Sequence, residues 1–296
     1  MTAGLTHLRP LGALAAALAL TVQPVMAQDT GNDPDPAENE IIVEGEISVD
    51  QRNARQQARD VTNARGSTTQ VLARFNDEIC PGVWGLSPEN AQLVIDRIYD
   101  NAERAGAQLE ATEDCRANLW VIFVNDPRET FQQMRDDDAF LLDGINIWQR
   151  RRILEQEGPA LAWQTTLMRT EGGGDRSLGD PSNQVYSMSR LDTGMTNDIE
   201  ISVVLIDRSV LADVDAFAVA DYATMRALAQ TRPPREEGEF DTVLALFDED
   251  APGPNRLSAF DISYLRSLYR GRGTGPSTRA HSGIDRLMED ELNREQ

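Results

Sequence analysis

Residues 199–207 read Ile199-Glu200-Ile201-Ser202-Val203-Val204-Leu205-Ile206-Asp207 and form the strongest strand signal in the chain. A second run, Leu119-Trp120-Val121-Ile122-Phe123-Val124, is apolar throughout, as a strand covered on both faces must be. Such strands need helices around them, and the flanks supply the patterns. Upstream, Ser87 and Pro88 open a helix with Ala91, Val94, Ile95, Ile98, Tyr99 and Ala102 on one side, closed by Gly106. Downstream, Asp126-Pro127 start a helix through Phe131 and Met134, and a second helical stretch covers 145–156. Residues 160–169 partly alternate and 185–190 form a short strand, with loops at 172–180 and 191–198. After 199–207 a helix runs over 214–230 until Pro233-Pro234, which cannot continue it, and a short helix covers 242–247. The last clear helix has Ser258 as N-cap and Asp261 three residues on, with Phe260, Ile262, Leu265, Leu268 and Tyr269 on its apolar side. These patterns predict one α+β domain over 71–271, a mixed sheet packed with helices.

The ends read differently. Arg9, the apolar run 11–22 and Val25-Met26-Ala27 predict a signal peptide over 1–27, because about a dozen apolar residues fall short of the roughly 20 that span a bilayer. An uncleaved N-terminal anchor is the alternative. Residues 28–70 are expected to be a disordered linker, acidic and proline-containing over 28–40, with a short extended patch at 41–45 and a possible short exposed helix over 50–64. Residues 272–296 are expected to be a flexible tail with a possible exposed helix at 284–295. No segment beyond 27 reads as a membrane span. A periplasmic or secreted location follows from the signal.

Composition excludes several chemistries. The chain has 296 residues and a formal charge of −21, and its 28 basic residues are all arginine. Without lysine there is no Schiff-base enzyme, no pyridoxal-phosphate anchor and no G-x-x-x-x-G-K-[ST] phosphate loop. Histidine occurs only at His7 and His281, too sparse for a His-rich zinc site or a Ser–His pair. The net negative charge is repelled by phosphates, so nucleic acid is excluded as a partner. An envelope component or another protein is expected instead. No cofactor, metal ligand set or catalytic residue is identified.

Cys80 and Cys115 suit an oxidising compartment. Joined, they close a 36-residue loop worth about 3–4 kcal/mol in the chain-entropy estimate; two free thiols are the alternative.

Among the carboxylates, Asp192-Thr193-Gly194 spells the D-T-G of aspartic proteases, but no second copy exists to share a proton, and a hairpin turn using Asp and Gly is the preferred reading. Asp221 shares a helix side with Phe217, Thr224 and Leu228, so it needs a partner, an arginine or a backbone amide. As a functional group it would be an acid in a cleft; as a structural one, a buried ion pair. A carboxylate-dependent, peptidase-like hydrolase using Asp221 or Asp192, with Asp261 a third candidate, is therefore the alternative function. Asp261 also serves as the capping-box acid.

The segment Leu257-Ser258-Ala259-Phe260-Asp261-Ile262-Ser263-Tyr264-Leu265-Arg266-Ser267-Leu268-Tyr269 resembles the last catalytic-domain helix of zincin metalloproteases of the matrixin kind. Strand 199–207 and helix 214–230 stand where zincins have their last strand and active-site helix. Cys115-Arg116-Ala117-Asn118-Leu119, and the later helix from Asp221 to Ala229, are similar to "C-x-x-N-L" and "ADY-x-x-M-R-x-LA" in an uncharacterised family of secreted bacterial proteins with a zincin-like domain. The resemblance implies that fold over 72–270. It also implies a lost zinc site, because H-E-x-x-H aligns with Tyr222, Ala223, Thr224, Met225 and Arg226. Asp221, Tyr222 and Arg226 are then the candidate residues of the former cleft, and the expected role is binding or structural, in the cell envelope, without catalysis.

Overall fold

The strand of residues 199–207 is the carboxyl half of β4 (Met195–Asp207), which runs parallel to β2 (Leu119–Val124) and antiparallel to β3 (Ala160–Thr170). On the far side of β2 lies β1 (Pro81–Trp84), also parallel, so the mixed four-stranded sheet has the order β1-β2-β4-β3. The computed structural model describes residues 47–63, 71–112, 115–170 and 192–294. The expected strand at 185–190 and the signal peptide lie outside them.

The pleat sends successive side chains to opposite faces, and both faces are covered. Leu119, Val121 and Phe123 of β2 join Val204 and Ile206 of β4 under α2 (Pro88–Ala105), α5 (Ala216–Leu228) and α6 (Ala259–Tyr269). Ile122, Val203, Leu205, Leu161 and Trp163 meet Phe131 of α3 (Pro127–Asp136), then Leu142, Ile145 and Ile153 of α4 (Ile147–Leu154) and its approach. Capping follows the sequence closely. The Ser87 hydroxyl accepts from the Asn90 N–H, Pro88 fills the first helical position, and Gly106 ends α2 at φ 84°, where a side chain would be strained. At α6 the capping box is complete: Ser258 Oγ accepts from the Asp261 N–H, and the Asp261 carboxylate accepts from the Ser258 N–H.

Cys80 and Cys115 are joined, with Cα atoms 6.1 Å apart. The Asn118 carboxamide accepts from the Cys80 N–H at 2.9 Å and donates to the Glu78 carbonyl, so the start of β1 is held to the start of β2 twice. The disulfide is compatible with an extracytoplasmic location. No described helix is long and apolar enough to cross a membrane.

The ends of the domain differ from expectation. Residues 51–61 form α1 (Gln51–Val61), capped by Asp50, and it is no exposed helix: Ala54, Gln57, Ala58 and Val61 are buried. After α7 (Ser277–Ala280), α8 (Ile284–Leu292) packs on α1 and α6, and its Ile284 and Met288 join the core that holds Ala54, Ala58 and Phe260. The Glu291 carboxylate takes Arg104, Arg266 and Arg294. The reading of a linker up to residue 70 and a flexible tail from 272 is thus corrected for the described parts of both. The reason is the size of the stripe. Ala54, Ala58 and Val61 have helical 4-3 spacing, but alanines give little hydrophobic signal while allowing close helix approach. His281, inside the segment expected to be a tail, is buried, stacked on Tyr264 with centroids 4.4 Å apart, and its Nδ1 lies 2.8 Å from Ser267 Oγ.

Candidate functional site

Among the described residues β3 is an edge strand with β4 on one side only. In an antiparallel ladder alternate residues turn their N–H and C=O groups away from the neighbour, which leaves them open on an edge. At Ala162 these open groups are taken by a side chain. Gln156 Nε2 donates to the Ala162 carbonyl at 2.8 Å, and its Oε1 accepts from the Ala162 N–H at 3.1 Å. The carboxamide therefore pairs with the strand as a peptide unit would. Two residues on, Gln164 turns its Nε2 to the Arg226 carbonyl at 2.7 Å, tying β3 to the end of α5.

α5 begins at Asp215, whose carboxylate caps the Ala218 N–H, and buries every residue from Ala218 to Leu228. Tyr222 and Arg226, one turn apart, face each other: Arg226 Nη1 donates to Tyr222 Oη at 2.6 Å. Arg226 Nη2 donates to Gln156 Oε1, the same oxygen that accepts from Ala162. Tyr222 also packs edge-on to Phe247.

In front of this cluster lies a groove of about 190 Å³ between β3, α4 and the chain leaving α5. Six of its lining residues are amides, Asn63, Gln149, Gln156, Gln164, Asn197 and Gln230, and Arg152 is its one charged lining residue among those described. A wall of amides offers donors and acceptors at fixed positions without a strong field. It suits a polar ligand recognised by hydrogen bonds.

The three candidate cleft residues separate. Asp221 turns to the other side of α5, fully buried, where Arg97 of α2 grips it with Nε at 2.6 Å and Nη2 at 2.8 Å. Asn101 Nδ2 (2.6 Å) and the Leu257 N–H (3.0 Å) complete its shell. The hydrogen bond from Arg97 to this carboxylate raises the arginine's pKa. Asp221 is thus the buried partner of an arginine, whereas Tyr222 and Arg226 stand behind the groove. Asp192 accepts from the Gly194 N–H at 2.8 Å in a local turn, which lowers its pKa. Asp261 is buried between the Thr242 hydroxyl, the Val243 and Ser258 N–H groups and the Ser258 hydroxyl, and burial pushes it up to about 6. None of these carboxylates lines the groove.

Gln156 and Gln164 went unread in the sequence. Gln156 in its loop and Gln164 in a strand that alternates only in part have no pattern that marks them, and the only sequence signal was the i, i+4 spacing of Tyr222 and Arg226. Among the described residues no group of three or more His, Cys, Asp or Glu side chains is arranged to hold a metal ion. The chain matches no protein-family model, no curated protein and no solved structure.

Proposed function

We propose that this chain is an exported domain with a zincin-like order of elements that binds a partner or ligand of the cell envelope and does not cleave it. The observation behind this reading is the Tyr222–Arg226 hydrogen bond. In the alignment that the resemblance implies, these residues take the two positions that carry imidazoles in the zincin peptidases. There a guanidinium, itself a cation, points at a phenol and a carboxamide. This donor set does not fit a zinc ion, which takes neutral imidazole, thiolate or carboxylate ligands. The succession of β4, α5 and α6 supports the likeness, and the Cys80–Cys115 disulfide supports export. The test is metal analysis of the purified, oxidised chain together with digestion of a random peptide library. Neither zinc nor cleavage is expected; stoichiometric zinc with peptide cleavage would overturn the reading.

A further inference from the structure

Among the described residues Arg226 is a buried cation without an anion. Its side chain is 1% exposed, and its two hydrogen-bonded partners, Tyr222 Oη and Gln156 Oε1, are both neutral. No carboxylate of the described residues lies within ion-pair distance of it, and its Nε has no hydrogen-bond partner. Burying a guanidinium is costly, and the cost is ordinarily offset by a carboxylate or another anion.

The same chain shows what a satisfied arginine looks like. Arg97 meets Asp221 along its Nε–Nη2 edge, one nitrogen to each carboxylate oxygen. On Arg226 the corresponding edge has a neutral carbonyl oxygen at Nη2 and nothing at Nε. That edge is the one by which Arg97 holds the two oxygens of a carboxylate. Gln156 is the side chain between it and the groove, since its carboxamide both lines the groove and accepts from Nη2. It sits in the short segment between α4 and β3, and three hydrogen bonds hold its carboxamide, two to Ala162 and one to Arg226. The lining around it holds no Asp or Glu among its described residues, in a chain with 49 of them, and its one charge is the cationic Arg152.

We infer that the groove is a carboxylate-binding site, in which a ligand carboxylate displaces the Gln156 carboxamide and accepts from Nε and Nη2 of Arg226, while the surrounding amides and Arg152 hold the rest of the ligand. At Arg226 a charge-assisted, two-point contact replaces one bond to a neutral oxygen, and this gain offsets the loss of the two Gln156–Ala162 bonds, whose strand groups pass to water or to the ligand. The ligand is a peptide ending in a free carboxylate or a small organic acid; both present the same group. The inference rests on the reading of this domain as a binder.

The experiment uses the oxidised, full mature chain. Acetate and N-acetyl-Gly-Gly are titrated against it by calorimetry and thermal unfolding at constant ionic strength, with N-acetyl-Gly-Gly amide as the neutral control. Both acids are expected to bind and raise Tm, and the amide to do neither; tighter binding of the peptide acid than of acetate assigns a peptide terminus, equal binding a small acid. Gln156→Glu supplies the missing carboxylate from within. It is expected to raise Tm without ligand and to weaken binding of both acids at least tenfold. Gln156→Ala removes the competitor and is expected to bind them more tightly than the parent chain. Equal response to the acid and its amide, or unchanged affinity in both Gln156 variants, would overturn the inference. A chain that binds no carboxylate but also holds no zinc and cleaves nothing would defeat the inference alone, whereas zinc-dependent cleavage would defeat the binding role itself.

Discussion

Arg97 and Asp221 meet edge to edge, Nε 2.6 Å from Oδ1 and Nη2 2.8 Å from Oδ2, and this pair joins α2 to α5. Asp221 is fully buried, while Arg97 keeps part of its side chain in solvent. Removing the arginine leaves an uncompensated carboxylate in the interior. Arg97→Met is expected to lower the unfolding free energy by about 3 kcal/mol, the low end for a broken buried pair because of that partial exposure. The double variant R97M/D221L should recover part of the loss. Urea unfolding measures both; a single variant as stable as the parent would show that the pair does not hold the helices.

Two buried groups oppose each other in acid. Burial pushes Asp261 up to about 6, so between about pH 4 and 6 the folded chain keeps a proton that the unfolded chain releases, and this contribution to stability falls as pH rises. Burial, reinforced by Arg59, pushes His281 down to about 4, so between about pH 4 and 6.5 the unfolded chain holds the extra proton and stability rises with pH. Each span is roughly two units, on the order of 3 kcal/mol, and the slopes have opposite sign. Relative to the parent, Asp261→Asn should therefore gain stability more steeply from pH 4 to 6, and His281→Gln should lose it. Parallel urea midpoints for all three chains across this range would refute the assignment.

The Cys80–Cys115 bond spans 35 positions, and in the chain-entropy model its removal should cost about 3–4 kcal/mol. Replacing both cysteines by alanine is expected to lower Tm accordingly. In the oxidised protein neither thiol should react with iodoacetamide until reductant is added; labelling of both in the folded, unreduced chain would exclude the bridge.

Ending the chain at Gly275 removes α7 and α8 and, with α8, its packing against α1 and α6. It also deletes Glu291, leaving Arg104 and Arg266 without their carboxylate. Losing Ile284, Leu287 and Met288 forfeits several kcal/mol of burial, at about 1.5–3 kcal/mol for each such side chain. The truncated chain is expected to be destabilised or insoluble. A thermal transition unchanged from the parent's would mean that α8 is dispensable.

Where one segment sufficed to specify an element, the sequence was readable. Residues 119–124 and 199–207 announce buried strands by composition, and Ser258 with Asp261 announces a helix start by local hydrogen bonding. Relations between distant segments were not readable. That Asp221 needs a partner follows from its apolar side of the helix; that the partner is Arg97, 124 positions away, does not. The spacing of Tyr222 and Arg226 was visible, but Gln156, which links them to β3, is 70 positions from Arg226. For α1 the obstacle was the weakness of an alanine stripe as a hydrophobic signal.

β1 has four residues, and so few rungs are weak grounds for choosing an alignment against β2. The choice is made ahead of it, by the sulfur bridge at Cys80 and the Asn118 carboxamide. A slip of one position would turn Val83 away from the core and drive Trp84, now 69% exposed, into it. Fastened at its entrance, the strand has no such freedom, and the outermost rung of the sheet inherits its alignment from residues that precede it.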